Sequence, residues 1–337
     1  GVVVVRRHPV VRRLAARVEV LPLRALVERL HVDRHRRAAR VLERACGDRT
    51  VRKARIGSVE RVVDLALRTA RQIKASEGFA AVKDFAGLTG YPIIAKPDNG
   101  VGAEGTFKIS SVNELKDFFE SHPSNYGAFV VEEFITGLLV SYDAIYNSAS
   151  EPVFESMSVF PTPIMDVVHD NLENCYYVDK SVPKALSEIG RRTVKAFDIK
   201  SRFVHLEFFK LDRDRDGLGK KGDYVGLEVN MRPAGGYTPD MMNYAHSTDV
   251  YQIWADMIAF DECRKGQGEQ FYCAYVGRRD GKSHKHSHKE VLACYGSSLV
   301  MCERMPDALS SALGNMVYMA RLKTLAEVKA FFKYITE

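Results

Sequence analysis

Two alternating segments constrain this chain more than any other feature. VHLEFFKL (Val204–Leu211) and YVGLEVNM (Tyr224–Met231) flank the charged, glycine-containing stretch DRDRDGLGKKGD. A period of two puts successive side chains on opposite faces, so the pair predicts an antiparallel hairpin. Within LEVNMR, apolar Leu227, Val229 and Met231 alternate with Glu228, Asn230 and Arg232. One strand face therefore carries an anion, a neutral oxygen ligand and a cation, and the partner strand adds Glu207. Two carboxylates and an amide oxygen on one hairpin face are hard donors with incomplete coordination. That suits Mg²⁺, which keeps waters and takes substrate phosphates as its other ligands. Arg232 on the same face can meet a phosphate or carboxylate as a fork. Alone, the segment also fits an ordinary solvated strand face.

A second hairpin lies upstream in YPIIAKPDNGVGAEGTFKI (Tyr91–Ile109). The apolar run ends at Lys96, a glycine-rich tip follows, and TFKI returns. Such a tip brings backbone N–H groups close to a phosphate, with Lys96 as a point charge. The spacing matches neither the P-loop pattern nor GxGxxG between a strand and a helix.

Composition divides the chain near residue 75. Residues 1–75 hold 18 Arg and 2 Lys against 7 acids, while the remainder holds 29 basic against 36 acidic residues. All 33 aromatic residues lie after position 75, and the first 75 residues contain no Asn. A basic arm for nucleic acid or anionic membrane is one reading. A helical Arg-rich prefix whose composition reflects coding history, a shifted frame or a fusion is the other, and it is preferred. Without interleaved aromatics, a stacking platform for single strands is disfavoured. No apolar run reaches the ~18 residues of a membrane span. GVVVV is too short for a signal-peptide core. Six cysteines without a CxxC pair fit reduced thiols in a cytoplasmic protein.

The remaining pattern alternates helices and strands. EVLPLRALVERL, RHRRAARVLERACG and SVERVVDLALRTARQIKA read as helices, as does GFAAVKDFAGLTG, closed by Gly90. SVNELKDFFESH is a helix with Ser111 and Glu114 as a capping box. GAFVVEEFI, LLVSYDAIYN and PVFESMSVFP read as strands, and KALSEIGRRTVKAFDI and TLAEVKAFFKYITE as helices. DRDRDG imitates the start of a calcium loop, but strands flank it, so an exposed turn is preferred. HKHSH (His284, His286, His288) could bind metal, but surrounding lysines oppose a cation. GRRDGK (Arg278, Arg279) fits a phosphate contact or a solvated loop equally.

Taken in order, GYPIIAKPDNGVGAEGTFKI, FVVEEFITG, VHLEFFKL and GLEVNMRPAGG resemble the ATP-grasp superfamily, specifically its carboxylate–amine ligase branch. The resemblance implies an α+β fold in which two α+β subdomains grip ATP. The expected organisation is an Arg-rich N-terminal region over 1–75, the ATP-grasp domain over 76–260, and its C-terminal part or a small lid over 261–337. It also implies roles. Lys96 matches the phosphate-binding lysine, and Gly100, Gly102 and Gly105 lie in the mobile loop over the phosphates. Glu132, Glu133, Phe134 and Ile135 match the hinge that presents backbone groups to adenine. Glu207, Glu228 and Asn230 match the Mg²⁺ ligands, and Arg232 the arginine near the reacting phosphate and carboxylate. Lys96 and Arg232 are thus the catalytic candidates.

Two departures stand out. The family often has a ribose-binding glutamate after the hinge glycine, where Gly137 is followed here by Leu138 and Leu139; Asp143 is the substitute considered. An upstream lysine is expected near Lys53, in surroundings that do not match. The implied activity is ATP-dependent ligation with ATP and Mg²⁺, or Mn²⁺, as cofactors and small carboxylate and amine substrates. A homodimer is compatible with the sequence, and nucleic acid and membrane partners are not expected. Bicarbonate activation of the carboxylase or carbamoyl-phosphate type is the enzymatic alternative. A nucleotide-binding protein without ligase turnover is the non-enzymatic one.

Overall fold

Strand pairing follows the alternation in the sequence, and two antiparallel sheets result. The computed structural model describes residues 68–98, 105–122, 125–163, 166–167 and 170–337. The helices read before residue 68, together with Lys53, Gly100 and Gly102, lie outside the described residues. All described residues fall within one compact unit, Lys53–Glu337.

The smaller sheet contains β1 (Gln72–Lys74), β2 (Ile93–Pro97), β3 (Phe107–Ile109) and β4 (Phe129–Glu133), in the order β1-β4-β2-β3. Helices α1 (Phe79–Thr89) and α2 (Val112–Ser121) cover one face. Val82, Ala86, Leu115 and Phe118 pack there on Ile93, Ala95 and Val131. Gly90 closes α1 at φ 81°, a conformation that suits glycine at a helix end. At the start of α2, Ser111 Oγ accepts the Glu114 N–H, while the Glu114 carboxylate accepts the N–H of Ser110 rather than that of Ser111. The β2–β3 pair is the hairpin expected from Tyr91–Ile109, with Ile93 opposite Ile109.

The helix expected over residues 58–75 is corrected at its described end. Gln72–Lys74 is a strand paired with β4, Gln72 opposite Glu132. Local propensity yields here to the backbone hydrogen bonds that β4 offers at its open edge. Just upstream, Thr69 forms a parallel bridge to Gly226, and Gly226 N–H donates to the Arg68 carbonyl at 2.8 Å. Residues 68–74 thus pair with both sheets.

The larger sheet has eight strands: β5 (Gly137–Tyr146), β6 (Pro152–Phe160), β7 (Asn174–Val178), β8 (Arg202–Leu211), β9 (Tyr224–Asn230), β10 (Tyr272–Arg278), β11 (Leu299–Arg304) and β12 (Met316–Leu322). Their order is β11-β12-β10-β7-β6-β5-β8-β9. Helices α3 (Lys184–Ala196), α6 (His288–Tyr295) and α8 (Leu325–Thr336) cover one face; Leu186 and Val194 of α3 pack on the β5 side, Phe331 and Ile335 of α8 on the β10–β12 side, and all share one core with Tyr142, Leu206, Ala274 and Val291. Helices α4 (Thr238–His246) and α5 (Val250–Phe260) cover part of the other face, with Met241, Met242, Ile253 and Met257 against Ile145, Phe154 and Phe203. A short helix α7 (Asp307–Leu313) links β11 to β12. Sequence patterning left β7, β10, β11 and β12 unread.

Only residues 134–136 separate β4 of the small sheet from β5 of the large one. Gly137 opens β5 because a Cβ there would sit 2.4 Å from the Lys210 carbonyl oxygen of β8. Any side chain would push β8 away from β5 at the junction of the sheets.

Candidate active site

The face of the large sheet that bears α4 and α5 carries two rows of polar side chains. Cross-strand register builds the first row as Glu228, Glu207, Ser141 and Ser158, and the second as Asn230, His205, Asp143 and Ser156. Ser141, Asp143, Ser156 and Ser158 are fully buried, and His205 and Asn230 nearly so. Glu207 and Glu228 are partly exposed. Buried polar groups persist where hydrogen bonds satisfy them, and here Ser141, Asp143, His205 and Glu207 form one chain of contacts, while Ser158 Oγ is buried without a partner among the described residues.

A one-residue bulge makes this geometry. Pairing runs Phe208 with Gly226, then shifts so that Glu207 faces Glu228. Leu227 is the extra residue. Without the shift Leu227 would lie opposite Glu207, and Glu228 and Asn230 would turn to the other face.

His205 sits between two acids. Its Nδ1 lies 2.7 Å from Asp143 Oδ1 and its Nε2 3.0 Å from Glu207 Oε1. Burial opposes charge on the ring, but Asp143, and after it Glu207, outweigh burial and hold its pKa up to about 10. Ser141 Oγ donates to Asp143 Oδ2 and accepts the Ser158 N–H at 3.1 Å. Asn230 Nδ2 donates to Glu228 Oε2 at 3.0 Å, which leaves the amide oxygen for another partner. Two carboxylates and an amide oxygen thus occupy neighbouring register positions on one face as hard donors. Among the described residues no three His, Cys, Asp or Glu side chains form a self-sufficient metal cage. The donor set fits a cation that completes its shell with water and phosphate oxygens, as Mg²⁺ does.

The other candidates fall as follows. Lys96 Nζ lies 2.5 Å from Glu132 Oε2 across β2 and β4. Glu133 is buried and its carboxylate takes the backbone N–H of Arg71 at 2.7 Å and its guanidinium at 2.9 Å. The Phe134 carbonyl accepts Arg215 Nη2 at 3.1 Å, and Lys108 Nζ lies 4.7 Å from the Phe134 ring centroid. Ile135 is buried with Leu211, Leu218 and Val225. Gly105 has φ 72° where the hairpin returns. Arg232 is exposed, and its Nη1 donates to the Pro233 carbonyl at 2.8 Å.

Three sequence readings change. Asp143 cannot replace the ribose-binding glutamate, because it is buried mid-strand with both oxygens engaged by His205 and Ser141. Arg278 and Arg279 are buried rather than solvated. Arg278 Nε donates to the Ile335 carbonyl, and Arg279 donates to the carbonyls of Leu172, Ser310 and Ser311. The three histidines of HKHSH diverge: His284 pairs with Glu173, His286 stacks on Tyr334, and His288 meets the Tyr318 hydroxyl. His205 and the serines had a readable signal, since Ser141, Asp143, Ser156, Ser158 and His205 interrupt apolar strands at a spacing of two.

No protein-family model matches the chain. D-alanine–D-alanine ligase of Francisella tularensis subsp. novicida is 34% identical over 151 residues, 42% of this chain and 46% of that protein. The Francisella philomiragia enzyme is 25% identical over 191 residues, 54% of this chain and 56% of that protein. The match thus spans about half the length of these curated relatives. The L-amino acid ligase structure from Bacillus licheniformis aligns with a TM-score of 0.58 at 14% identity, covering 81% of this chain and 68% of that one. N5-carboxyaminoimidazole synthetase from Staphylococcus aureus, complexed with ADP, aligns at 0.61 and 12% identity over 82% and 69%.

The chain has an ATP-grasp fold.

The two sheets are the two α+β halves of that fold, and Glu207, Glu228 and Asn230 lie on a strand pair of the larger one. A carboxyaminoimidazole ribonucleotide synthase with the same fold is complexed with ATP, at a TM-score of 0.60 and 14% identity. Among the described residues of this ATP-grasp chain, no helix is long and apolar enough to cross a membrane.

Proposed function

We propose that the chain is an ATP-dependent carboxylate–amine ligase. A carboxylate oxygen of the first substrate attacks the γ-phosphorus of ATP, the bond to the β-phosphate oxygen breaks, and ADP leaves. The amine of the second substrate then attacks the acyl carbon, the C–O bond to phosphate breaks, and phosphate leaves as the nitrogen loses a proton. The observation that carries this reading is the placement of Glu207 opposite Glu228 with Asn230 beside them. A bound Mg²⁺ neutralises phosphate charge there and orients the transferred group; Mn²⁺ is the alternative ion. Lys96 supplies a cation to the phosphates once it leaves Glu132. Arg232, two residues beyond Asn230, turns from the Pro233 carbonyl to the reacting oxygens. This work is positioning and charge neutralisation, with no protein nucleophile. In this reading the ATP-grasp domain extends to residue 260, residues 261–337 complete its larger half, and the enzyme acts in the cytoplasm on small molecules.

Phosphate release with ATP and pairs of amino acids or dipeptides, with mass detection of products, tests the proposal. A new amide product that appears with ADP and phosphate supports it. Turnover that requires bicarbonate instead favours the carboxylase alternative. Nucleotide binding without phosphate release from any pair refutes ligation.

A further inference from the structure

We propose that His205 is a positioning residue for the Glu207 carboxylate. The proposal rests on the reading that Glu207 and Glu228 hold a divalent cation. Both His205 nitrogens are engaged, at 2.7 Å to Asp143 and 3.0 Å to Glu207, so the ring is not itself a ligand. What it does is tie down one oxygen of Glu207, Oε1, and leave Oε2 to face an ion. Glu207 has three side-chain torsions and is partly exposed, so an untethered carboxylate would sample many orientations.

The tether is itself anchored. Asp143 is 0% exposed and receives Ser141 Oγ on its second oxygen, and Ser141 accepts a backbone N–H from Ser158 on the next strand. The chain of contacts therefore runs from the β6 backbone through β5 and β8 to Glu207 Oε1, and fixes the direction of Oε2. No link in it is a mobile surface group. Partners that orient a ligand in this way are worth about 10–100-fold in metal affinity elsewhere. A purely structural role for the same network predicts lower stability and unchanged affinity.

Replacements separate the two. His205→Asn keeps a donor near the Nδ1 position toward Asp143 and loses the reach to Glu207. His205→Gln keeps a donor near the Nε2 position. The probe is Mn²⁺ in the presence of ADP, followed by the loss of the free-ion electron paramagnetic resonance signal, with melting in EDTA as the fold control. Wild-type binding that Glu207→Gln abolishes, that His205→Asn weakens at least tenfold and that His205→Gln largely restores is the expected pattern. Should His205→Asn fail to fold, Asp143→Asn, which releases the ring from its anchor, is expected to weaken Mn²⁺ binding in the same direction. Unchanged Mn²⁺ affinity in the folded His205 or Asp143 variant overturns the positioning role while the metal reading stands. Absence of Glu207-dependent Mn²⁺ binding in the wild type removes the metal reading, and the proposal with it.

Discussion

Glu207 and Glu228 face each other directly across β8 and β9. Like charges at opposed strand positions destabilise a sheet, on the order of 0.2–1 kcal/mol. His205 offsets part of this repulsion from 3.0 Å beside Glu207, and in the proposed reading a bound cation offsets the rest. Glu228→Gln should therefore raise stability in EDTA by about 0.5 kcal/mol and lower ligase turnover roughly a hundredfold or more. Urea melts with and without Mg²⁺, paired with phosphate-release rates, check both halves. Wild-type turnover by this variant at low Mg²⁺ would sink the metal assignment.

Lys96 is held by Glu132 across β2 and β4. Phosphate binding requires the lysine to exchange that partner. Lys96→Met should weaken binding of a non-hydrolysable ATP analogue about tenfold, near ~1.4 kcal/mol, with little change in melting temperature. Glu132→Gln removes the competitor and should leave affinity equal or higher. Calorimetric titration of both variants decides it, and unchanged affinity in the Met variant excludes Lys96 as a phosphate contact.

The hairpins and the capped helices were legible because each rests on local alternation or a local cap. Tyr91–Ile109, Val204–Leu211 and Tyr224–Asn230 pair as their patterns require. Long-range features were not legible. The bulge at Leu227 adjoins Gly226, whose N–H donates to the Arg68 carbonyl, and nothing within LEVNM encodes that contact. The strand at Gln72–Lys74 was hidden by helical propensity, since its partner is 60 residues away in β4. Arg278 and Arg279 looked like surface cations because sequence does not reveal which carbonyls will be left to pair with them.

Glu133 joins the Arg71 segment to the end of β4. It is 3% exposed and takes both the backbone N–H and the guanidinium of Arg71, with Arg215 at 3.7 Å. Removing the charge weakens several charge-assisted bonds at once. Glu133→Gln should cost about 2 kcal/mol and raise hydrogen exchange over residues 68–74 more than elsewhere. Equal melting of variant and wild type would show that β1 is held by its backbone ladder alone.

His246 gives the fold a pH dependence of defined sign. It is 2% exposed, with Nδ1 on Gln270 Oε1 and Nε2 on Ser156 Oγ. Burial lowers its pKa below the ordinary 6.5, partly offset by the Gln270 hydrogen bond. The Nδ1–H donates to the amide oxygen and Nε2 meets the serine hydroxyl, which can accept as well as donate, so burial is what penalises the charged ring. Below pH 6.5 the unfolded chain takes up a proton here that the folded chain refuses. Stability from this group is therefore complete above about pH 6.5 and is lost as pH falls toward the lower folded value, by at most about 1.4 kcal/mol per pH unit. Urea melts of wild type and His246→Gln from pH 7.5 to 5 isolate the effect as a difference curve, in which shared carboxylate titrations cancel. The wild type should lose its advantage over the variant between pH 6.5 and 5. A difference that stays flat, or that widens in favour of the wild type at low pH, would mean that the folded protein accommodates the charged ring at this position.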